Sequence, residues 1–167
     1  HISVDKACFD LLARQAPVAK DLRLVLAIVK INTDLERMGD HTVNISHSGE
    51  DYLNRAAVNI NNEIQQMATE VRSMVRDSLD AFVAKDVEKS KKLLERDDIV
   101  DQFKAKLKHQ LLSLMRSDAT LLESCLDLIS IIRNLERLAD HATNIAEEVV
   151  FLATGDDIRH GHSGTGS

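Results

Sequence analysis

Glutamate and aspartate stand four residues apart at Glu36 and Asp40, and again at Glu136 and Asp140. On a helix this spacing places both carboxylates on one stripe, which Asn44 and Asn144 continue. Like charges so placed cost a bare helix about 0.2–0.5 kcal/mol, and nothing in helix formation asks for the pair twice. A hard cation reverses the sign, because magnesium, manganese and calcium prefer carboxylate oxygen and iron accepts it. Two carboxylates are too few ligands, so a neighbouring helix must complete the set. The best supply is Glu95-Arg96-Asp97-Asp98-Ile99-Val100-Asp101, where Asp97 and Asp101 repeat the four-residue spacing and Glu95 and Asp98 form a three-residue pair. The candidate metal ligands are therefore Glu36, Asp40, Glu136, Asp140, Asp97 and Asp101. A salt-bridged polar seam between helices is the competing reading, and the residues alone leave both open. Arg37 and Arg137 read as neutralising partners of nearby carboxylates, and His41 and His141 as hydrogen-bonded structural histidines. Asn44 and Asn144 read as bonding across helices.

These residues belong to an internal repeat. Residues 35–45 lie over residues 135–145 at a period of 100, with seven of the eleven positions identical. The register holds upstream without a gap: Leu22 lies over Leu122, Leu26 over Leu126, Val29 over Ile129 and Ile31 over Ile131. The chain thus reads as two copies of one unit. The same shift puts His1 on Asp101, so the partner acids of the first copy would fall before residue 1. The expectation is a first unit truncated at its N-terminus, with a crippled metal site and an apolar surface that another chain or a swapped element covers.

The elements that must position the acids are helices. Between Glu50 and Thr154 there is no glycine and no proline, and the stretch is rich in Leu, Ala, Glu, Lys and Arg. The spacing predicts five helices: Ile2–Gln15, stopped by Pro17; 18–47, ended at Ser48–Gly49; 61–85; 86–115, with Ile99, Phe103, Leu107 and Leu111 inward; and one capped by Ser117–Asp118 that runs to about 153 and stops at Gly155. The apolar upstream half of the second helix is expected to be central in its bundle. The fold class is all-α, two tandem three-helix bundles with the first incomplete. The units are 1–50, 61–153 and a flexible tail, 155–167, whose His160 and His162 read as solvated.

Composition narrows the function. A net charge of −6 argues against a nucleic-acid module. No apolar run reaches the roughly 18–20 residues needed to cross a bilayer, so no membrane insertion is expected. Cys8 and Cys125 do not superimpose in the repeat and read as small core residues of a reducing compartment. No nucleophile–base pair suggests turnover. A di-iron carboxylate bundle needs Glu-x-x-His twice, and no histidine here has glutamate three residues before it. An all-α magnesium-dependent nucleotide pyrophosphohydrolase wants Glu-x-x-Glu facing Glu-x-x-Asp, of which only Glu95-x-x-Asp98 is present.

Two copies of Leu-Glu-Arg-x-x-Asp-His-x-x-Asn-Ile, each on the last helix of its unit, resemble the PhoU family of phosphate-signalling regulators. Two further stretches support the resemblance: Leu11-Leu12-Ala13-Arg14-Gln15-Ala16-Pro17-Val18-Ala19-Lys20-Asp21-Leu22-Arg23 and Thr154-Gly155-Asp156-Asp157-Ile158-Arg159-His160-Gly161. The likeness covers about residues 1–161. It implies paired three-helix bundles with pseudo-twofold symmetry, and iron or zinc on the paired acids; manganese and magnesium stay candidates on the carboxylate chemistry alone. It implies a cytoplasmic negative regulator of the phosphate-starvation response. Such a protein links the ATPase of a phosphate ABC transporter to a phosphate sensor histidine kinase, and dimerises.

Overall fold

The computed structural model describes residues 2–15, 18 and 20–155, and among them there are helices and no strands. Helix α1 spans Ile2–Gln15 and α2 Lys20–Leu53; α3 spans Asn61–Ala84, α4 Val87–Leu94 and α5 Asp97–Ser117; a single 3-10 turn, Ala119–Leu121, leads into α6, Leu122–Thr154. At 1.5 Å per residue the longest rods, α2 and α6, are each about 50 Å long. They run side by side in the most extensive pairing of the molecule, and α3, α4 and α5 cover the rest of α6. The predicted tail beyond Gly155 lies outside the described residues.

Local chemistry sets most of the ends. Lys85 takes the left-handed conformation (φ 55°), and the Asp86 and Lys85 amides bond back to the Ala81 and Phe82 carbonyls, closing α3. Asp86 then caps α4, its carboxylate accepting from the Lys89 amide at 2.9 Å. Asp118 accepts from the Thr120 amide and hydroxyl, which hold its carboxyl below the ordinary range. Gly155, at φ 79°, ends α6 with its amide on the Phe151 carbonyl.

Four expectations are corrected. The second helix does not stop at Ser48–Gly49 but continues to Leu53. Glycine in a helix costs about 1 kcal/mol, and tertiary contacts on both sides outweigh it: Ser48 donates to Ser130, and Ile45 and Tyr52 pack on the core. The predicted 86–115 helix is broken at Glu95–Arg96. There Arg96 reaches back to α3, 2.7 Å from both Glu70 and Asp77. Burial alone would raise the Asp77 carboxyl, but Arg96 and Lys89 hold it below its ordinary value. Along α5 the inward stripe is Val100, Leu107 and Leu111, with Phe103 partly buried and Ile99 exposed. The upstream half of α2 is not central either: Val25, Ala27 and Ile31 are buried, whereas Leu22 and Leu26 face outward.

The core lies against α6. Met67, Val71 and Met74 of α3, Leu93 of α4, and Leu107 and Leu111 of α5 meet Cys125, Leu128, Ile132, Ala142 and Ile145 of α6. Cys8 and Cys125 are both free and buried, as small core residues should be, and burial pushes the Cys125 thiol up.

Candidate functional site

The two copies of the motif meet on α2 and α6. His141 Nδ1 lies 2.8 Å from Asp34 Oδ1, and His41 Nδ1 lies 2.9 Å from Asn134 Oδ1. The Asn134 amide nitrogen donates to the Ser130 carbonyl, so its oxygen is turned to His41 and the His41 Nδ1–H is the donor. The same reciprocity recurs further along the seam, four residues before Asp34 and Asn134 and seven after His141 and His41. Lys30 is 2.7 Å from Glu148, and Ser48 donates to Ser130 at 2.8 Å. In every case position i of one copy touches position j of the other, and the converse pair is made as well. At the centre the two imidazoles stack, their centroids 5.5 Å apart. Both motif histidines are thus hydrogen-bonded seam residues. Asn144 also bonds across helices, to Asp34 at 3.3 Å. Asp34 and Asn134 were missed in the motif, although a polar residue directly before Leu-Glu-Arg in both copies was available as a signal.

The carboxylates of the second copy gather between α5 and α6. Lys104 Nζ lies 2.5 Å from Glu136 and 3.8 Å from Asp101. Arg137 stands 3.4 Å from Asp140, a half-exposed pair consistent with a neutralising arginine. Asp97 feels Asp140, Asp101, Asp98 and Glu136. Burial first, and then these charges, push its carboxyl above the ordinary value. Burial and Glu136 do the same to Asp140, against the opposing pull of Arg137, Lys104 and His141. The helix supplies part of the reason for this placement, because Asp97 and Asp98 sit in the first turn of α5, where the helix dipole favours negative charge. The structure therefore brings Glu136, Asp140, Asp97 and Asp101 into one layer. Glu95 and Asp98, the only pair that suggested a pyrophosphohydrolase, are exposed.

The first copy differs. Glu36, Arg37 and Asp40 all lie on the exposed side of α2. Among the described residues no three histidine, cysteine, aspartate or glutamate side chains converge closely enough to hold a metal ion. In the second copy the donors are of the right chemistry for a hard cation: Glu136, Asp140 and Asp97 are partly buried and Asp101 is exposed. One of them, Glu136, is occupied by Lys104, a residue the sequence reading overlooked although it continues the Asp97–Asp101 stripe.

The model of the PhoU domain matches residues 1–48 and 64–149. The chain belongs to the PhoU family. Its relatives include proteins named phosphate-specific transport system accessory protein PhoU homolog. One, from Clostridium acetobutylicum, is 35% identical over 93% of this chain and 71% of its own length. Another, from Pseudomonas putida, is 37% identical over 95% of this chain and 62% of its own. The crystal structure of PhoU from Pseudomonas aeruginosa superposes with a TM-score of 0.87 at 32% identity, covering 91% of this chain and 73% of that one. The phosphate transport system regulatory protein PhoU from Streptococcus pneumoniae superposes with a TM-score of 0.83 at 32% identity, covering 93% and 72%. The helical bundle read from the sequence is the PhoU architecture. No described helix is long and apolar enough to cross a membrane.

Proposed function

We propose that this PhoU-family chain is a cation-binding regulatory accessory protein of phosphate uptake. In this reading it works without catalysis, in the cytoplasm, as an adaptor between a phosphate ABC transporter ATPase and a sensor histidine kinase. The observation that carries the cation part is the donor set of the second copy, Glu136 and Asp140 on α6 with Asp97 and Asp101 on the adjoining α5; an ion would have to draw the two helices closer to reach three of them. A metal ion (iron, zinc, manganese or magnesium) would be held by Glu136 and Asp140 with Asp97 and Asp101. It would supply the positive charge that offsets their repulsion and tie α5 to α6. The Glu36–Asp40 pair makes a weaker second site. Lys104 competes for Glu136, so it sets a threshold of cation concentration for occupancy. The transport role is supported by the names of the relatives, and the two partners by the family likeness. The exposed Phe9, Leu22, Leu26 and Val43 of α1 and α2 support pairing with a second copy.

Elemental analysis after equilibration with each metal tests the site. Wild type should retain metal that Glu136→Gln/Asp140→Asn loses and that Lys104→Met binds more tightly. Equal metal content in all three overturns the cation reading. The adaptor reading is tested by co-purification with the transporter ATPase and the sensor kinase. Recovery of neither overturns it.

A further inference from the structure

The reciprocal packing of α2 and α6 creates two grooves at equivalent positions, one on each side of the stacked histidines. The first is floored by Asp34 and Asn144 and includes Thr33 and Glu147. The second is floored by Asn134 and Asn44 and includes Arg133 and His47 at the same register positions. A shared scaffold makes each groove a control for the other. Lys30–Glu148 across the first is a neutral ion pair, and Ser130–Ser48 across the second is a neutral hydroxyl pair, so these cancel. The remaining replacements all move charge in one direction. Asp34 becomes Asn134, Thr33 becomes Arg133 and Glu147 becomes His47. The second groove also takes in His41 and Arg137, and no acidic residue lines it. Counting histidine as neutral, the residues lining the first groove sum to −2 and those lining the second to +2, Arg137 also meeting Asp140 outside the groove.

Folding does not require that charge. Thr33 occupies the position of Arg133 while the same seam hydrogen bonds form, so the arginine is not needed to build the scaffold. Arg133 is exposed and has no carboxylate partner among the described residues. Arg137 has one, the half-exposed contact with Asp140. The hydroxyls are arranged as donors too: Ser48 donates to Ser130, which leaves the Ser130 hydrogen for another acceptor. The groove encloses about 530 Å³, within the range of roughly 300–1,000 Å³ of small-molecule sites and larger than bare phosphate needs. Paired guanidinium groups with hydroxyl and amide donors suit a tetrahedral oxyanion, which accepts at every oxygen.

We propose that this groove binds a phosphoryl oxyanion, either inorganic phosphate or the phosphate of a nucleoside monophosphate. That an oxyanion binds there follows from the groove alone; its being phosphoryl rests on the regulatory reading above. The acidic groove, by the same comparison, excludes it. The full chain, stripped with EDTA so that no metal can recruit phosphate, is titrated calorimetrically with inorganic phosphate, with AMP and with sulfate. One equivalent of phosphate or AMP should bind, at least tenfold more weakly in Arg133→Glu and unchanged in Glu147→Gln of the opposite groove. Arg133 is exposed, and an unaltered thermal melt of the variant confirms its fold. Binding of AMP but not phosphate supports the proposal and assigns the source to a phosphomonoester; binding of phosphate but not AMP assigns it to the free ion. Binding of sulfate alone keeps the groove as an oxyanion site but overturns its phosphoryl assignment, and with it weakens the regulatory reading. No binding of any anion, or equal binding by Arg133→Glu, overturns the proposal and leaves the cation reading untouched.

Discussion

Residues 35–45 and 135–145 carry the same motif and live in different solvents. Leu135 is 6% exposed and Leu35 40%; Ala139 and Ala142 are fully buried, while Gly39 and Thr42 face water. The acids follow suit, with Asp140 crowded by Glu136 and Asp97 while Asp40 is exposed. The difference is in what covers each helix. Three helices, α3, α4 and α5, pack on α6, whereas α2 has α6 and the lightly attached α1. A motif therefore fixes which groups share a stripe, and its cover decides whether those groups repel, pair or merely sit in water.

Matched substitutions in the two copies measure that difference. The largest is expected from the leucine that opens the motif. Leu135→Ala should cost about 2–5 kcal/mol, as buried leucines do, and Leu35→Ala under about 1 kcal/mol, both read by urea denaturation. Equal losses would show that α2 is covered as well as α6. Next come the histidines. His141→Ala deprives a mostly buried Asp34 carboxylate of a partner and should cost about 1–3 kcal/mol. His41→Ala leaves only a neutral amide, at about 0.5–1.5 kcal/mol. The same denaturation series ranks them.

The smallest effect has the opposite sign. The carboxyls of Asp97 and Asp140 titrate above their ordinary values. Their contribution to stability is full below the ordinary aspartate range and is lost as pH rises through the folded values. Asp140→Asn should accordingly be more stable than wild type at neutral pH, by about 0.2–0.5 kcal/mol, with the gain disappearing in acid. Asp40→Asn should change nothing measurable. A metal-free melt at several pH values checks both, and a loss of stability in Asp140→Asn would show the layer to be held together by its charges and not strained by them.

Much of this was legible in the residues. The repeat, the helical class, the ends read at 85 and about 153 and found one residue away at Ala84 and Thr154, the buried cysteines and the structural histidines all follow from patterns local to the chain or to its copy. What escaped depended on residues far apart in sequence. Nothing near Glu95–Arg96 signals a break, because the bond partners of Arg96 are Glu70 and Asp77 on another helix. Ser48–Gly49 reads as a stop, and only contact with α6 carries the helix through it. Spacing named the acids on α5 and α6, but it gave no sign that Lys104 lies among them and bonds Glu136, since a lysine among acids looks like ordinary surface charge.

Contacts in which 34 meets 141 and 134 meets 41, and 30 meets 148 and 130 meets 48, have the form of an isologous interface between identical subunits. Within one polypeptide the two sides of such a contact are encoded separately, so one groove can be acidic and the other basic while the seam between them keeps its reciprocal form.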